Sequence, residues 1–202
     1  MKKSSIILAF TGDGKGKTSA AIGLACRALG AEKKVAFVQF VKSWEVSEHR
    51  FFAKIAEIYA DNFFFYKGGK GFFHAGKDSA TEKIIDKNGK KISQKISDND
   101  HKKAARKTFE IALNLINKSE KNSQKTDLLI CDEINNAVSD GLLSEGNLRK
   151  LIVSARKNSV NLCLTGRNFP ENLLAEIDIA TDMKKIKHHY DDGFLAEKGI
   201  DF

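Results

Sequence analysis

The sequence predicts an α/β protein with a mostly parallel, doubly wound central sheet and helices on both of its faces. Three observations carry this. Near-continuous apolar runs recur along the chain, helical patterns separate them, and a glycine-rich turn joins the first run to the first helix. Continuous apolar runs are what strands covered on both faces require, and strand–helix alternation makes those strands parallel. Of the 202 residues 42% are hydrophobic, enough to cover both sides of such a sheet within one domain spanning 1–202.

The elements follow in chain order. Ser5–Phe10 (SIILAF) is the first strand. The two lysines before it suggest a signal peptide, but the apolar stretch passes into TGDGKGKT with no small-residue cleavage site. Lys17–Leu29 reads as a helix that stops at Gly30, and Val35–Val41 (VAFVQFV) as the next strand. Phe63–Tyr66 is a candidate strand and Lys67–Gly76 a glycine-rich loop. A lysine-rich insertion occupies about 81–98, where Asn88-Gly89 between isoleucine-bearing flanks predicts a surface hairpin. Asp100–Lys118 reads as a helix with Ala105, Phe109, Ala112, Leu113 and Ile116 on one face. Asp127–Cys131 (DLLIC) is a strand, Ser144–Lys157 a helix carrying Leu148, Leu151 and Ile152, and Val160–Thr165 (VNLCLT) a strand. Glu171–Ile177 reads as a short helix after Pro170, a residue well tolerated in a first helical turn.

Composition narrows the setting. No apolar run approaches the roughly 20 residues that span a bilayer, so a cytoplasmic protein with no membrane partner is expected. Cys26, Cys131 and Cys163 lie far apart in apolar segments, without metal-ligand or redox spacing, and read as reduced core residues. The net charge of +8 suits an anionic partner, but much of the lysine lies between Lys67 and Lys107, where a solvated basic insertion explains it. Nucleic acid is therefore not the expected partner.

The strongest chemical signal is the phosphate loop of residues 11–19, Thr11-Gly12-Asp13-Gly14-Lys15-Gly16-Lys17-Thr18-Ser19. It follows a strand and opens a helix, the context in which backbone N–H groups converge on phosphate oxygens and the helix end attracts the anion. Lys17 then places an ammonium on the phosphate chain of a nucleoside triphosphate, MgATP above all, and the Thr18 hydroxyl helps hold Mg²⁺. The usual pattern has glycine six residues before the lysine. Here that position is Thr11, and Gly12 comes one residue late.

The second signal is the apolar run ending in Asp132-Glu133. In a parallel sheet such a tip brings carboxylates beside the phosphate loop, where they serve Mg²⁺. Arg167, at the end of Val160–Thr165, is either a phosphate ligand or a surface residue, and Arg27 faces either solvent or nucleotide. His188-His189, without a ligand cluster nearby in sequence, read as solvent-facing. Phe72-Phe73-His74 in glycine-rich surroundings are either a lid over a flat ligand or a local cluster.

A phosphate loop leaves the attacked atom open. An ATPase acting on nucleic acid and a non-catalytic nucleotide or corrinoid carrier both fit the loop alone. The wording of the sequence goes further. TGDGKGKTSAAIGLACRALG, KKVAFVQFVK, LLICDEINNAVSDGLLS, LCLTGRNFPENLLAEID and the tail MKKIKHHYDDGFLAEKGIDF resemble, in order, the ATP-dependent corrinoid adenosyltransferases of the phosphate-loop type. The resemblance covers about residues 5–60 and 100–202.

It implies a homodimeric enzyme with a RecA-like fold that transfers the 5′-deoxyadenosyl group of ATP to reduced corrinoid cobalt and releases triphosphate. A flavoprotein reductant is the implied electron donor. Gly12, Asp13, Gly14, Lys15, Gly16, Lys17, Thr18 and Ser19 would cradle the nucleotide, with Arg27 and Arg167 near it. Thr18, Asp132 and Glu133 would bind the metal, Lys17 and Glu133 would be catalytic, and Phe72, Phe73 and His74 would meet the corrinoid. The chain departs from the family where His74 stands for a usual Trp, where Asp13 replaces Asn, and in the 81–98 insertion.

Overall fold

The fold comes from a computed structural model and is described for residues 5–43, 45–71, 81–85, 91–95, 97–117 and 125–201. A six-stranded sheet, parallel throughout, forms the centre. Its strands are β1 (Ile7–Thr11), β2 (Val35–Gln39), β3 (Phe63–Lys67), β6 (Leu128–Asp132), β7 (Asn161–Thr165) and β8 (Ile179–Asp182), in the order β3-β2-β6-β7-β1-β8. Every residue of β2 and of β6 is buried, which is why both read as near-continuous apolar runs.

Two apolar layers cover the sheet. On one face α1 (Lys17–Gly30) and α2 (Ser47–Ile58) pack over Val35, Phe37, Ile130 and Cys163. Phe37 and Phe52 meet there at 4.8 Å between ring centroids, and Phe52 and Phe65 at 4.9 Å. On the other face α3 (Asp98–Asn117), the short α4 (Ile134–Ser139) and α5 (Glu145–Asn158) cover Ala36, Val38, Leu129 and Leu162. The anticipated face of α3 is the buried one: Ala105, Phe109, Ala112, Leu113 and Ile116 all point inward. The Ser144 N–H donates to Asn147 Oδ1 at 2.9 Å, which caps the start of α5.

An antiparallel pair, β4 (Thr81–Ile85) with β5 (Lys91–Lys95), lies apart from the main sheet. These strands flank the predicted hairpin turn, whose Asn88 and Gly89 lie outside the described residues.

The structure refines or corrects several expectations. α1 ends at Gly30, as read, but with Gly30 as its last residue; the left-handed residue that follows is Glu32, at φ 57°. The short helix read at Glu171–Ile177 is a 3-10 helix, Glu171–Glu176. Cys26 is exposed, because it lies on the outer side of α1, whereas Cys131 and Cys163 are buried as read. Neither α2 nor β8 stands out in the sequence. Only Phe52 of α2 is fully buried, so its apolar stripe is narrow. All four residues of the edge strand β8 are exposed, so it carries no apolar run.

Candidate functional site

The strand order decides what meets at the carboxyl ends of the sheet. β7 separates β1 from β6, so the loop after β1 and the tip of β6 face each other across the end of β7. Gly12 takes φ 94° and Gly16 φ 113°, left-handed values that a side chain rarely adopts. Close packing adds a second reason for glycine. A Cβ on Gly12 would strike Asp182 Oδ1 and the Met183 backbone, and one on Gly14 would lie 2.6 Å from Met183 O.

The segment after β8 is therefore part of the loop's wall. Gly14 N–H donates to Met183 O at 2.6 Å, and Lys185 N–H donates to Asp13 Oδ1 at 3.2 Å. The Lys15 ammonium reaches Asp201 at 2.8 Å. A backbone N–H from Glu197 and the Lys15 ammonium together push the Asp201 carboxyl down to about 2.

Lys17, the first residue of α1, donates to Gly12 O at 2.7 Å and Gly14 O at 2.6 Å, which holds its ammonium inside the loop. Burial, aided by Arg167, lowers its pKa. Next to it, Thr18 Oγ1 donates to Asp132 Oδ1 at 3.0 Å. Thr165 Oγ1 donates to the same oxygen at 2.7 Å, and Gln39 Nε2 donates to Asp132 Oδ2 at 3.1 Å. Asp132 is fully buried and thus held by three side chains from three different elements.

Glu133 follows at φ 61°, its N–H bound to Thr165 Oγ1 at 2.9 Å. Its Oε2 is buried without a hydrogen-bond partner. Burial, then the neighbouring Asp132 charge, push its carboxyl up to about 7, against the pull of Lys42 and Lys17. Lys42, just beyond β2, binds Glu48 at 2.8 Å. Burial works against its charge, but Asp132, Glu48 and Glu133 together raise the ammonium above its ordinary pKa. An orphaned buried carboxylate oxygen, a second carboxylate and a hydroxyl form an all-oxygen donor set suited to a hard divalent cation. The residues present fit Mg²⁺.

Arg167 sits at the same edge. Its N–H donates to Asn136 Oδ1 at 2.8 Å, and its charge acts on both Lys17 and Asp13. Ser19 is exposed in the first turn of α1. Arg27 is not brought here. It is exposed in the last turn of α1, ten residues beyond Lys17 and so about 15 Å along the helix axis. His188 and His189 are half-buried rather than solvent-facing, their rings stacked at 4.7 Å, with His189 Nε2 3.2 Å from Asp201. Phe72, Phe73 and His74 lie outside the described residues, although Gly71 leads into them from this edge, its N–H on Val41 O at 2.9 Å.

Gln39, Lys42, Thr165 and the tail residues Met183, Lys185 and Asp201 were not read as parts of this site. A signal for two of them exists. Gln39 is a polar residue inside an apolar strand run, and Thr165 ends another, both places where a buried polar group needs a partner.

A parallel sheet, a glycine loop opening a helix, and a carboxylate-tipped strand one place removed define an α/β protein with a phosphate-loop type of fold. The chain belongs to the ATP:corrinoid adenosyltransferase BtuR/CobO/CobP family, which it matches over residues 3–202. It is 28% identical over 200 residues to a corrinoid adenosyltransferase of Sinorhizobium sp., covering 99% of this chain and 81% of that one. A corrinoid adenosyltransferase of Escherichia coli strain K12 is 29% identical over 199 residues, 98% of this chain and 85% of its own. Corrinoid adenosyltransferase CobA of Salmonella typhimurium strain LT2 is 27% identical over 206 residues, 100% of this chain and 87% of its own. The chain is an enzyme of the corrinoid adenosyltransferase class. Among the described residues, no helix is long and apolar enough to cross a membrane.

Proposed function

We propose that this enzyme transfers the 5′-deoxyadenosyl group of ATP to the cobalt of a reduced corrinoid and releases triphosphate. The observation that carries the reading is the meeting of Thr18 with Asp132, 114 residues apart, at the mouth of the phosphate loop. Membership of the family over residues 3–202 supplies the chemistry to which that site is put.

The substrate cobalt(I) is itself the nucleophile. Its electron pair forms the bond to the ribose 5′ carbon, the carbon–oxygen bond breaks, and that bond's electrons leave on the triphosphate. Cobalt becomes formally cobalt(III), and no protein base is needed. The protein's task is to hold the 5′ carbon in line and to stabilise charge growing on the leaving group. The loop from Gly12 to Ser19 and the amino end of α1 surround the phosphates, and Lys17 exchanges its two loop carbonyls for phosphate oxygens. Arg167 adds charge from the neighbouring strand.

Thr18, Asp132 and Glu133 would hold Mg²⁺, which when bound supplies positive charge to the phosphate chain. Phe72, Phe73 and His74 meet the corrinoid. The rest of the proposal is a cytoplasmic homodimer that receives electrons from a flavoprotein reductant. Each chain is one nucleotide-binding domain, with the insertion at about 81–98 as an appendage.

The test is incubation with ATP, Mg²⁺ and chemically reduced cobalamin, followed by the visible spectrum. A light-sensitive carbon–cobalt bond and one triphosphate per adenosyl group are expected. Rapid release of ADP and orthophosphate without corrinoid, stimulated by DNA or RNA, would overturn the proposal.

A further inference from the structure

The Asp132 carboxylate only accepts hydrogen bonds, so the Gln39 amide must turn its nitrogen toward it. That leaves Gln39 Oε1 facing the other way, where His49 Nε2 lies 2.7 Å off. His49 must then donate, which requires the proton on Nε2. Its other nitrogen agrees, because Nδ1 accepts the Val46 N–H at 3.4 Å. The ring also lies tilted against Phe65 at 5.4 Å between centroids. The residue before it, Glu48, holds Lys42 beside the same carboxylates. The first turn of α2 thus supports the carboxylate pair at two points.

We infer that His49 is a positioning residue for the metal and triphosphate site, acting through Gln39 on Asp132. It touches no substrate. Its hydrogen bond fixes which way the Gln39 amide faces, and the Gln39 amide fixes the Asp132 oxygen that Thr18 does not bind. Without His49 the amide is free to turn its carbonyl toward the carboxylate, which sets oxygen against oxygen and lets Asp132 swing away from Thr18. Outer partners of this kind change metal affinity by roughly 10–100-fold when removed. The inference rests on the proposed roles of Thr18, Asp132 and Glu133.

The test compares wild type, His49→Leu, His49→Gln, Gln39→Leu, the double variant and Asp132→Asn. ATP binding is measured by calorimetry with and without Mn²⁺, and bound Mn²⁺ by electron paramagnetic resonance. His49→Leu is expected to weaken Mn²⁺-dependent binding about 10-fold while metal-free ATP binding stays within about twofold. His49→Gln, whose Nε2 reaches the same carbonyl, should recover most of the loss. In the Gln39→Leu background, His49→Leu should do nothing further.

Wild-type Mn²⁺ affinity in His49→Leu, or equal losses with and without metal that His49→Gln fails to recover, overturns the relay. If Mn²⁺ fails to strengthen ATP binding even in wild type, or Asp132→Asn behaves as wild type, the metal site itself is misplaced and the relay falls with it.

Discussion

Replacing Glu133 by Gln should stabilise the metal-free protein at alkaline pH while removing its metal-dependent activity. The folded protein holds this carboxyl at about 7, against an ordinary value of 4.5. A pKa raised by folding favours the protonated form, so its contribution is complete below 4.5 and disappears as pH rises through 7. At roughly 1.4 kcal/mol per pH unit the loss is on the order of 2–3 kcal/mol. For a domain of this size each kcal/mol moves the melting temperature by roughly 2–4 °C. Glu133→Gln, neutral at every pH, should melt roughly 4–10 °C above wild type at pH 8 in EDTA, and close to it at pH 5. Mg²⁺ added with ATP should lift wild type at pH 8 and leave the variant largely unmoved. The assay is thermal unfolding followed by circular dichroism. Parallel pH profiles for the two proteins in EDTA would refute the reasoning, because Glu133 would then carry no buried charge.

Two further outcomes concern the two substrates. Lys17→Ala should lower the turnover of reduced cobalamin by about 10²–10³ with the far-ultraviolet spectrum unchanged, since one preorganised charge at the leaving group is lost; wild-type turnover would remove Lys17 from its role. Phe72→Ala and Phe73→Ala should lose activity from cobalt(II) with a protein reductant yet largely keep it when cobalt(I) is supplied chemically. Equal losses in both assays, or a lowered melting temperature, would make these residues packing rather than a lid.

Much of the sheet was legible because burial on both faces leaves its mark on sequence. β2 and β6 read as strands since neither alternates. β8 did not, because an edge strand of four exposed residues has no hydrophobic period to detect. The loop and the Asp132-Glu133 tip were legible for a different reason: their chemistry needs particular residues at fixed spacing. Gln39 and His49 were not, because they act across 10 residues and through each other, and only the path of the chain shows that they meet. For Arg27, left open between solvent and nucleotide, the structure shows an exposed residue ten positions along α1 from Lys17.

The chain closes on itself in a way that bears on how it is made. β1, within the first dozen residues, pairs on one side with β7 and on the other with β8, and its loop leans on Met183, Lys185 and Asp201. The phosphate loop precedes part of its wall by 172 residues, from Asp13 to Lys185, and is completed only when that later segment folds against it. Until the C-terminal residues arrive, β1 has neither neighbour and the loop lacks its wall. Contacts spanning more than 150 residues are slow to form. A chain clipped before Met183 would therefore lose the wall of its phosphate loop.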